Sequence, residues 1–269
     1  MLIKLTTQCQ MQCPHCMEDA QSDGTMMTMD TLHEAVRFGQ YIGCSCFVLS
    51  GGEPTENPIV ADMCEWLSSE GMTFSITSNG MWLKDAEHKA SVERITRMQG
   101  FAGMQVYTHR RWYREYDYVV AHRSDYERLS GVIVDADATI WMQDLGRART
   151  SNDAQGEVAQ NPHFMSCLNA TLAARQIAVP RLYGATLLLH RQMCKPSVDA
   201  AGGVHLSESR LCPSVGNVTT DPFADIWARM RRFRPCGQCA GCRRFMESQR
   251  PDIARARQMI FVKQQANPA

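Results

Sequence analysis

The sequence predicts an α/β fold built on a parallel sheet, and two features carry that expectation. Short apolar runs alternate with amphipathic helical segments through the first half of the chain, which is the pattern of repeated βα units. A cysteine-, glycine- or serine-bearing motif follows each of the first three apolar runs, so the chemistry collects at the C-terminal mouth of the sheet, as in βα barrels.

The elements follow in order. Met1 to Leu5 reads as a first strand leading into Cys9, Cys13 and Cys16. Thr31-x-x-Glu34 has the form of a capping box and opens a helix with Leu32, Ala35, Val36 and Ile42 on one face. Phe47-Val48-Leu49 is a second strand, ended by Ser50-Gly51-Gly52-Glu53-Pro54. Ile59, Val60, Met63, Trp66 and Leu67 recur at helical spacing. Phe74 to Thr77 is a third strand ending at Ser78-Asn79-Gly80, Asp85 to Met98 a third helix, and Gly103 to Tyr107 a fourth strand. A polar helix is expected around Tyr113 to Leu129, and Val132–Val134 and Thr139–Met142 are strand candidates of open register. Ser151 to Pro162 has loop composition, Leu168 to Ile177 is a candidate last barrel helix, and Tyr183 to His190 is a further strand.

Composition narrows the class. With 44% hydrophobic and 21% charged residues, the chain can fill a globular core. Basic and acidic residues number 28 each, so the neutral balance gives no support to nucleic-acid binding. No apolar run reaches the roughly 18 residues of a membrane span. The first residues also lack the basic start and long apolar core of a signal peptide. A cytoplasmic location is therefore expected, where 12 cysteines argue for metal ligation rather than a disulfide framework. Cys44, Cys46, Cys64 and Cys167 are expected as core thiols.

Cys9, Cys13 and Cys16 form C-x-x-x-C-x-x-C in one loop. A closed [4Fe–4S] site takes four cysteines, so three thiolates leave one iron open to a further ligand. This motif, with the ring of His15 before its last cysteine and the Gly-Gly-Glu-Pro turn one strand–helix–strand unit later, resembles the two signatures of the radical S-adenosylmethionine (radical SAM) superfamily. The resemblance implies a partial (β/α)6 TIM-like barrel over residues 1–182. It implies that Cys9, Cys13 and Cys16 bind three irons while S-adenosylmethionine chelates the fourth. Reductive cleavage of the sulfonium to methionine and a 5′-deoxyadenosyl radical would then lead to hydrogen-atom abstraction from substrate. Gly51, Gly52 and Glu53 would hold the cofactor's ammonium group, with glycine letting the backbone approach closely. Ser78 and Asn79 would touch the ribose or carboxylate, or else form a plain strand-to-loop turn. His15 would lie near the adenine, or else pack within its loop.

Five further cysteines stand at Cys194, Cys212, Cys236, Cys239 and Cys242. With the Gly202-Gly203 turn, Val215-Gly216-Asn217-Val218 and the Ile226-Trp227 helix start between them, they resemble the auxiliary-cluster modules called SPASM and twitch. Five cysteines suit the shorter, twitch form, which implies a small α+β module over 183–250 holding one auxiliary [4Fe–4S] cluster, followed by a helix or tail at 251–269. Cys194 and Cys212 match its first two ligands; which of Cys236, Cys239 and Cys242 is spare stays open. Zinc held by a Cys₄ set is the competing reading. Leu145-Gly146-Arg147-Ala148 resembles a segment at the barrel's end in enzymes with such modules, which makes Arg147 the candidate catalytic residue, with a surface arginine as the alternative. His109, Arg110, Arg111 and Tyr113 follow the fourth strand and are candidates to face substrate or a solvated loop.

The function expected is that of an oxidoreductase or maturase: dehydrogenation of a small molecule, or modification or cross-linking of a peptide side chain, with the auxiliary cluster as electron acceptor. A low-potential donor such as flavodoxin or ferredoxin would supply the electron. A chain beginning at its first strand leans towards a compact substrate or a separate protein that delivers a peptide. The reading from another class is a non-catalytic iron–sulfur sensor, or a zinc-stabilised binding protein, on a degenerate barrel.

Overall fold

Residues of alternating character make the sheet. Ile3 and Leu5, Phe47 and Leu49, Phe74 and Ile76, and Met104 and Val106 are all buried in one core, while Lys4, Ser50, Thr77 and Gln105 point the other way and line a cavity. The computed structural model describes residues 1–137, 146–154, 196–206, 210–211 and 213–232. Five strands run in parallel: β1 (Leu2–Thr6), β2 (Cys46–Gly51), β3 (Thr73–Ser78), β4 (Phe101–Thr108) and β5 (Val132–Ala136). Between them lie α1 (Met29–Tyr41), α2 (Val60–Ser69), α3 (Ala86–Ile95) and the short pair α4 (Tyr116–Ala121) and α5 (Arg123–Glu127).

α1 begins earlier than its sequence pattern suggests. Thr28 is the N-cap and its hydroxyl accepts the Thr31 N–H at 3.2 Å, so Thr31 sits one turn inside the helix rather than opening it. Asp85 caps α3 with hydrogen bonds from Glu87 and His88, both 2.9 Å. The single helix expected over Tyr113–Leu129 is two, because His122 adopts a non-helical backbone between α4 and α5.

Beyond these, α6 (Arg147–Thr150) precedes three short strands, β6 (Ser197–Val198), β7 (Gly203–His205) and β8 (Ser214–Asn217), and the helix α7 (Phe223–Arg232). β6 pairs in parallel with β1, and β7 and β8 follow antiparallel, so the described strands form one sheet of order β5-β4-β3-β2-β1-β6-β7-β8. The parallel α/β sheet with helices on one face is as expected. The expected strands at 139–142 and 183–190, the helix at 168–177, most of the loop at 151–162 and the tail at 251–269 lie outside the described residues. So do Cys167, Cys194, Cys212, Cys236, Cys239 and Cys242. No helix among the described residues is long and apolar enough to cross a membrane.

Asp199 organises the β6–β7 turn. Its Oδ1 accepts the N–H groups of Ala201 and Gly203 at 2.9 and 2.8 Å, and its Oδ2 meets His205 Nε2 at 2.8 Å. Burial pushes this carboxyl up, but the hydrogen bonds from His205, Gly203 and Ala201 outweigh it and hold the group below its ordinary value. A depressed native value means stabilisation that is present above the unfolded-state value and is lost as pH falls through the native one. Asp199→Asn is expected to cost about 1–3 kcal/mol at pH 7. The gap to wild type should narrow as pH drops below about 4. Urea unfolding at neutral and acid pH checks this, and a gap independent of pH would assign the loss to something other than the carboxylate.

Candidate metal and cofactor site

The cysteine loop leaves β1 and returns along itself. Thr7 N–H donates to Thr25 O at 2.9 Å, Cys9 N–H to Gln21 O at 2.7 Å, and Gln21 N–H to Thr7 O at 3.2 Å. The Thr6 hydroxyl bonds Thr25 O at 3.0 Å and accepts Gln8 N–H at 2.8 Å. The turn after β2 docks on this loop through its glycines. Gly52 N–H donates to Thr6 O and Glu53 N–H to Gln8 O, each at 2.8 Å. A Cβ on Gly51 would stand 2.3 Å from Thr6 O, and one on Gly52 only 2.0 Å from Gln8 O. Gly51 also has φ +134°, a conformation that side chains resist. The glycine pair is thus required by the approach of backbone to the cysteine loop itself, in addition to any approach to a cofactor.

Glu53 is fully buried. Its Oε1 accepts Thr55 N–H (3.2 Å), the Thr55 hydroxyl (2.8 Å) and the Ser78 hydroxyl (2.9 Å), and its Oε2 accepts Asn79 N–H at 2.7 Å. Burial raises its pKa above the usual carboxylate value even against these four donors. The side chain therefore ties the turn after β2 to the end of β3, and it is not on the cavity wall that Gly51, Gly52, Ser78 and Asn79 line.

That cavity, of about 240 Å³, brings together Cys9, Cys13, Cys16, His15, Tyr113 and the ends of β2 and β3. Burial pushes the Cys9 thiol up to about 11 and the Cys13 thiol up to about 12, with the neighbouring cysteines adding to the effect. Such thiols ionise when a metal replaces the proton. Among the described residues no three His, Cys, Asp or Glu side chains converge as a single-ion site. The three sulfurs instead share one cavity wall, a soft donor set of the kind that holds iron–sulfur clusters. His15 packs 5.1 Å from the Tyr113 ring and 5.8 Å from Trp112. Burial, with His109 and Arg147 adding, lowers its pKa to about 4, so it is neutral.

Arg147 reaches the site from the other side. Its Nε donates to Cys13 O at 3.0 Å, its Nη1 to Ala20 O at 2.7 Å and to Asp19 Oδ1 at 3.1 Å, and its backbone N–H to Cys16 O at 3.0 Å. It is absent from the cavity wall. Its guanidinium is engaged by the backbone and side chain of the cysteine loop.

Sequence reasoning missed the cavity's continuation. Sharing Ser50, Gly51, Thr77 and Glu18 with the first, a space of about 870 Å³ runs over the open face of the sheet. Lys4 and Glu18 form an ion pair of 2.7 Å in its wall, with side chains only 2% and 8% exposed. Gln105 on the same face donates to Asp135 at 2.6 Å, and Tyr107 is a further wall residue. The signal was present: strands of a parallel sheet covered on both faces read as continuous apolar runs. Polar residues at every second position, such as Ser75-x-Thr77 and Gln105-x-Tyr107, mark a face left open.

Comparison with known proteins agrees with this geometry. Residues 3–99 match the sequence model of the Radical SAM superfamily. The chain is 32% identical over 79 residues to a probable GTP 3′,8-cyclase of Pyrococcus horikoshii, a match covering 29% of this chain and 26% of that protein. It is 29% identical over 98 residues to a probable GTP 3′,8-cyclase of Saccharolobus solfataricus, covering 36% and 32% respectively. The chain thus spans about a quarter to a third of the length of these curated relatives. Among solved structures it is similar in fold to BtrN, crystallised with AdoMet and 2-DOIA, with a TM-score of 0.55 and 14% identity over 89% of this chain and 92% of that one. The matched segment, residues 3–99, carries Cys9, Cys13, Cys16 and the glycine turn.

Proposed function

We propose that the chain is a radical SAM enzyme. Cys9, Cys13 and Cys16 would hold a [4Fe–4S] cluster, and Gly51, Gly52, Ser78 and Asn79 would form the wall that receives S-adenosylmethionine. The observation carrying this reading is that the three thiols and the polar ends of β2 and β3 share one cavity at the C-terminal edge of a parallel sheet. When bound, the cluster and cofactor together supply reductive cleavage of a sulfonium and abstraction of a substrate hydrogen atom, fed by a low-potential donor such as flavodoxin or ferredoxin.

The chain's own residues hold and shield this chemistry. Glu53 fixes the ends of β2 and β3 relative to each other. His15 and Tyr113, half-buried and neutral, present ring surface beside the sulfurs, which limits access of water. The larger cavity on the inner sheet face suits a small molecule or one residue of a peptide, since ligand pockets run to about 300–1,000 Å³.

The finer reading is an oxidation. Cys194, Cys212 and two of Cys236, Cys239 and Cys242 would hold an auxiliary [4Fe–4S] cluster, which would supply an acceptor for one electron. Dehydrogenation of a small molecule, or oxidation or cross-linking of a peptide side chain, are the outcomes this supports. The curated cyclases share too short a segment for their GTP substrate to be carried over.

Anaerobic reconstitution with an iron count tests the reading. Wild type is expected to hold about eight irons, and the Cys9→Ala/Cys13→Ala/Cys16→Ala variant about four, with dithionite-driven S-adenosylmethionine cleavage abolished. An iron count unaffected by the triple change would sink it. A wild-type count of about four that falls to none would remove the auxiliary cluster alone.

Arg147 offers a second check. Arg147→Ala keeps every thiol but frees the carbonyls of Cys13 and Ala20. Iron retained after desalting is expected to fall several-fold, with Arg147→Lys intermediate because an ammonium cannot reproduce the guanidinium fork. Full retention in the alanine variant would show that the loop holds its shape without the clamp.

A further inference from the structure

Asn79 is held in one orientation from two sides. Its backbone N–H donates to Glu53 Oε2 at 2.7 Å, and its side-chain Oδ1 accepts the Met81 N–H at 2.8 Å. With the oxygen end turned into the loop, the Nδ2 end faces Cys9 Sγ at 3.6 Å and Gln10 Oε1 at 3.3 Å. The residue is buried, so little water competes for that donor. Among the described residues Cys9 is the one cysteine of the loop that a side-chain donor reaches in this way.

We propose that Asn79 is a sulfur-directed donor: its Nδ2–H bonds the Cys9 thiolate when that thiolate ligates iron, and thereby raises the reduction potential of the cluster. The inference rests on Cys9, Cys13 and Cys16 being cluster ligands. An N–H pointed at a ligand sulfur draws charge from it and favours the more negative, reduced cluster, which is why hydrogen bonds to sulfur help set these potentials. Reduction adds one electron from dithionite or a reduced carrier protein, and no bond is broken. Glu53 is then a positioning residue that acts through the Asn79 backbone. This role differs from contact with the cofactor's ribose or carboxylate, because the amide is directed at the protein's own sulfur.

Two variants separate the donor from the turn it also stabilises. Asn79→Asp keeps an oxygen for the Met81 N–H but has no N–H to give. Asn79→Ser keeps a turn-capping oxygen, stays neutral and is too short to reach the sulfur. Each is reconstituted anaerobically and titrated with a reductant, the cluster being followed by electron paramagnetic resonance at equal iron content. Both midpoint potentials are expected to fall below that of wild type, the aspartate variant further because it adds negative charge. A serine variant that titrates with wild type overturns the proposal, even where the aspartate variant shifts, since charge alone then accounts for the change. A wild type with no [4Fe–4S] signal, or one whose signal is unchanged in the Cys9→Ala/Cys13→Ala/Cys16→Ala variant, overturns the parent reading instead, so the two failures are distinct.

Discussion

The buried carboxylate of Glu53 is the constraint on which the site depends. A carboxylate only accepts hydrogen bonds, and this one accepts four, from Thr55, Ser78 and Asn79. Placing it where no water reaches raises its pKa, and the four donors reduce that cost without cancelling it. The arrangement persists because a buried acceptor cannot exchange these donors for water, and a buried polar group left unsatisfied costs about 1–3 kcal/mol or more. The ends of two paired strands are held together past the last rung of their ladder. The β2–β3 ladder ends at Leu49 and Ile76, and beyond it this side chain ties Ser78 and Asn79 to the glycine turn.

The cysteine loop is then held from three directions. Gly51 and Gly52 let the turn after β2 bond the backbone of Thr6 and Gln8 at a distance that any Cβ would prevent. Arg147 bonds the carbonyls of Cys13 and Ala20 from the opposite side, and Gly146, at φ +58°, allows its chain to come against Cys16 O. Tyr113 and Trp112, from the segment after β4, pack on His15. Three half-buried thiols sit inside this frame, and burial raises the pKa of two of them, Cys9 and Cys13. A loop of this length carrying chemistry would ordinarily be among the least stable parts of a fold. Here its geometry is set by elements distant in sequence.

Those distances decide what the sequence could show. The strands and helices of the first half were legible because each carries its own period, and the two signatures were legible because their spacing is local. The glycine turn reads in the sequence as a place of close approach to a cofactor; the approach the structure shows is to the backbone of Thr6 and Gln8. Thr28 is not marked as the cap of α1 in the sequence because Thr28-x-x-Thr31 lacks the Glu or Gln of a capping box, which Thr31-x-x-Glu34 supplies three residues later. Arg147 was placed near the site by resemblance. Its direction, towards carbonyls rather than into the cavity, depends on tertiary contacts that no spacing encodes. Lys4 and Glu18 went unnoticed because a charged residue inside a first strand looks like an exposed face until the strand is known to lie between two others.

The Lys4–Glu18 pair links the cysteine loop to the sheet. A buried ion pair is weak evidence for stability, since desolvating both charges offsets much of their attraction. Its consequence is geometric. Lys4 lies in β1, between β2 and β6, while Glu18 belongs to the loop two residues beyond Cys16 and also accepts the Arg210 N–H at 3.3 Å. Breaking such a pair by removing one partner costs about 3–5 kcal/mol, because the other charge is left buried and uncompensated. The cysteine loop is thereby coupled to the floor of the large cavity, so the wall that would receive a substrate and the loop that would hold iron keep a fixed relation. Reactions that move a single hydrogen atom are sensitive to displacements of about 1 Å between the reacting groups. A pair that adds little net stability is well suited to fixing that distance.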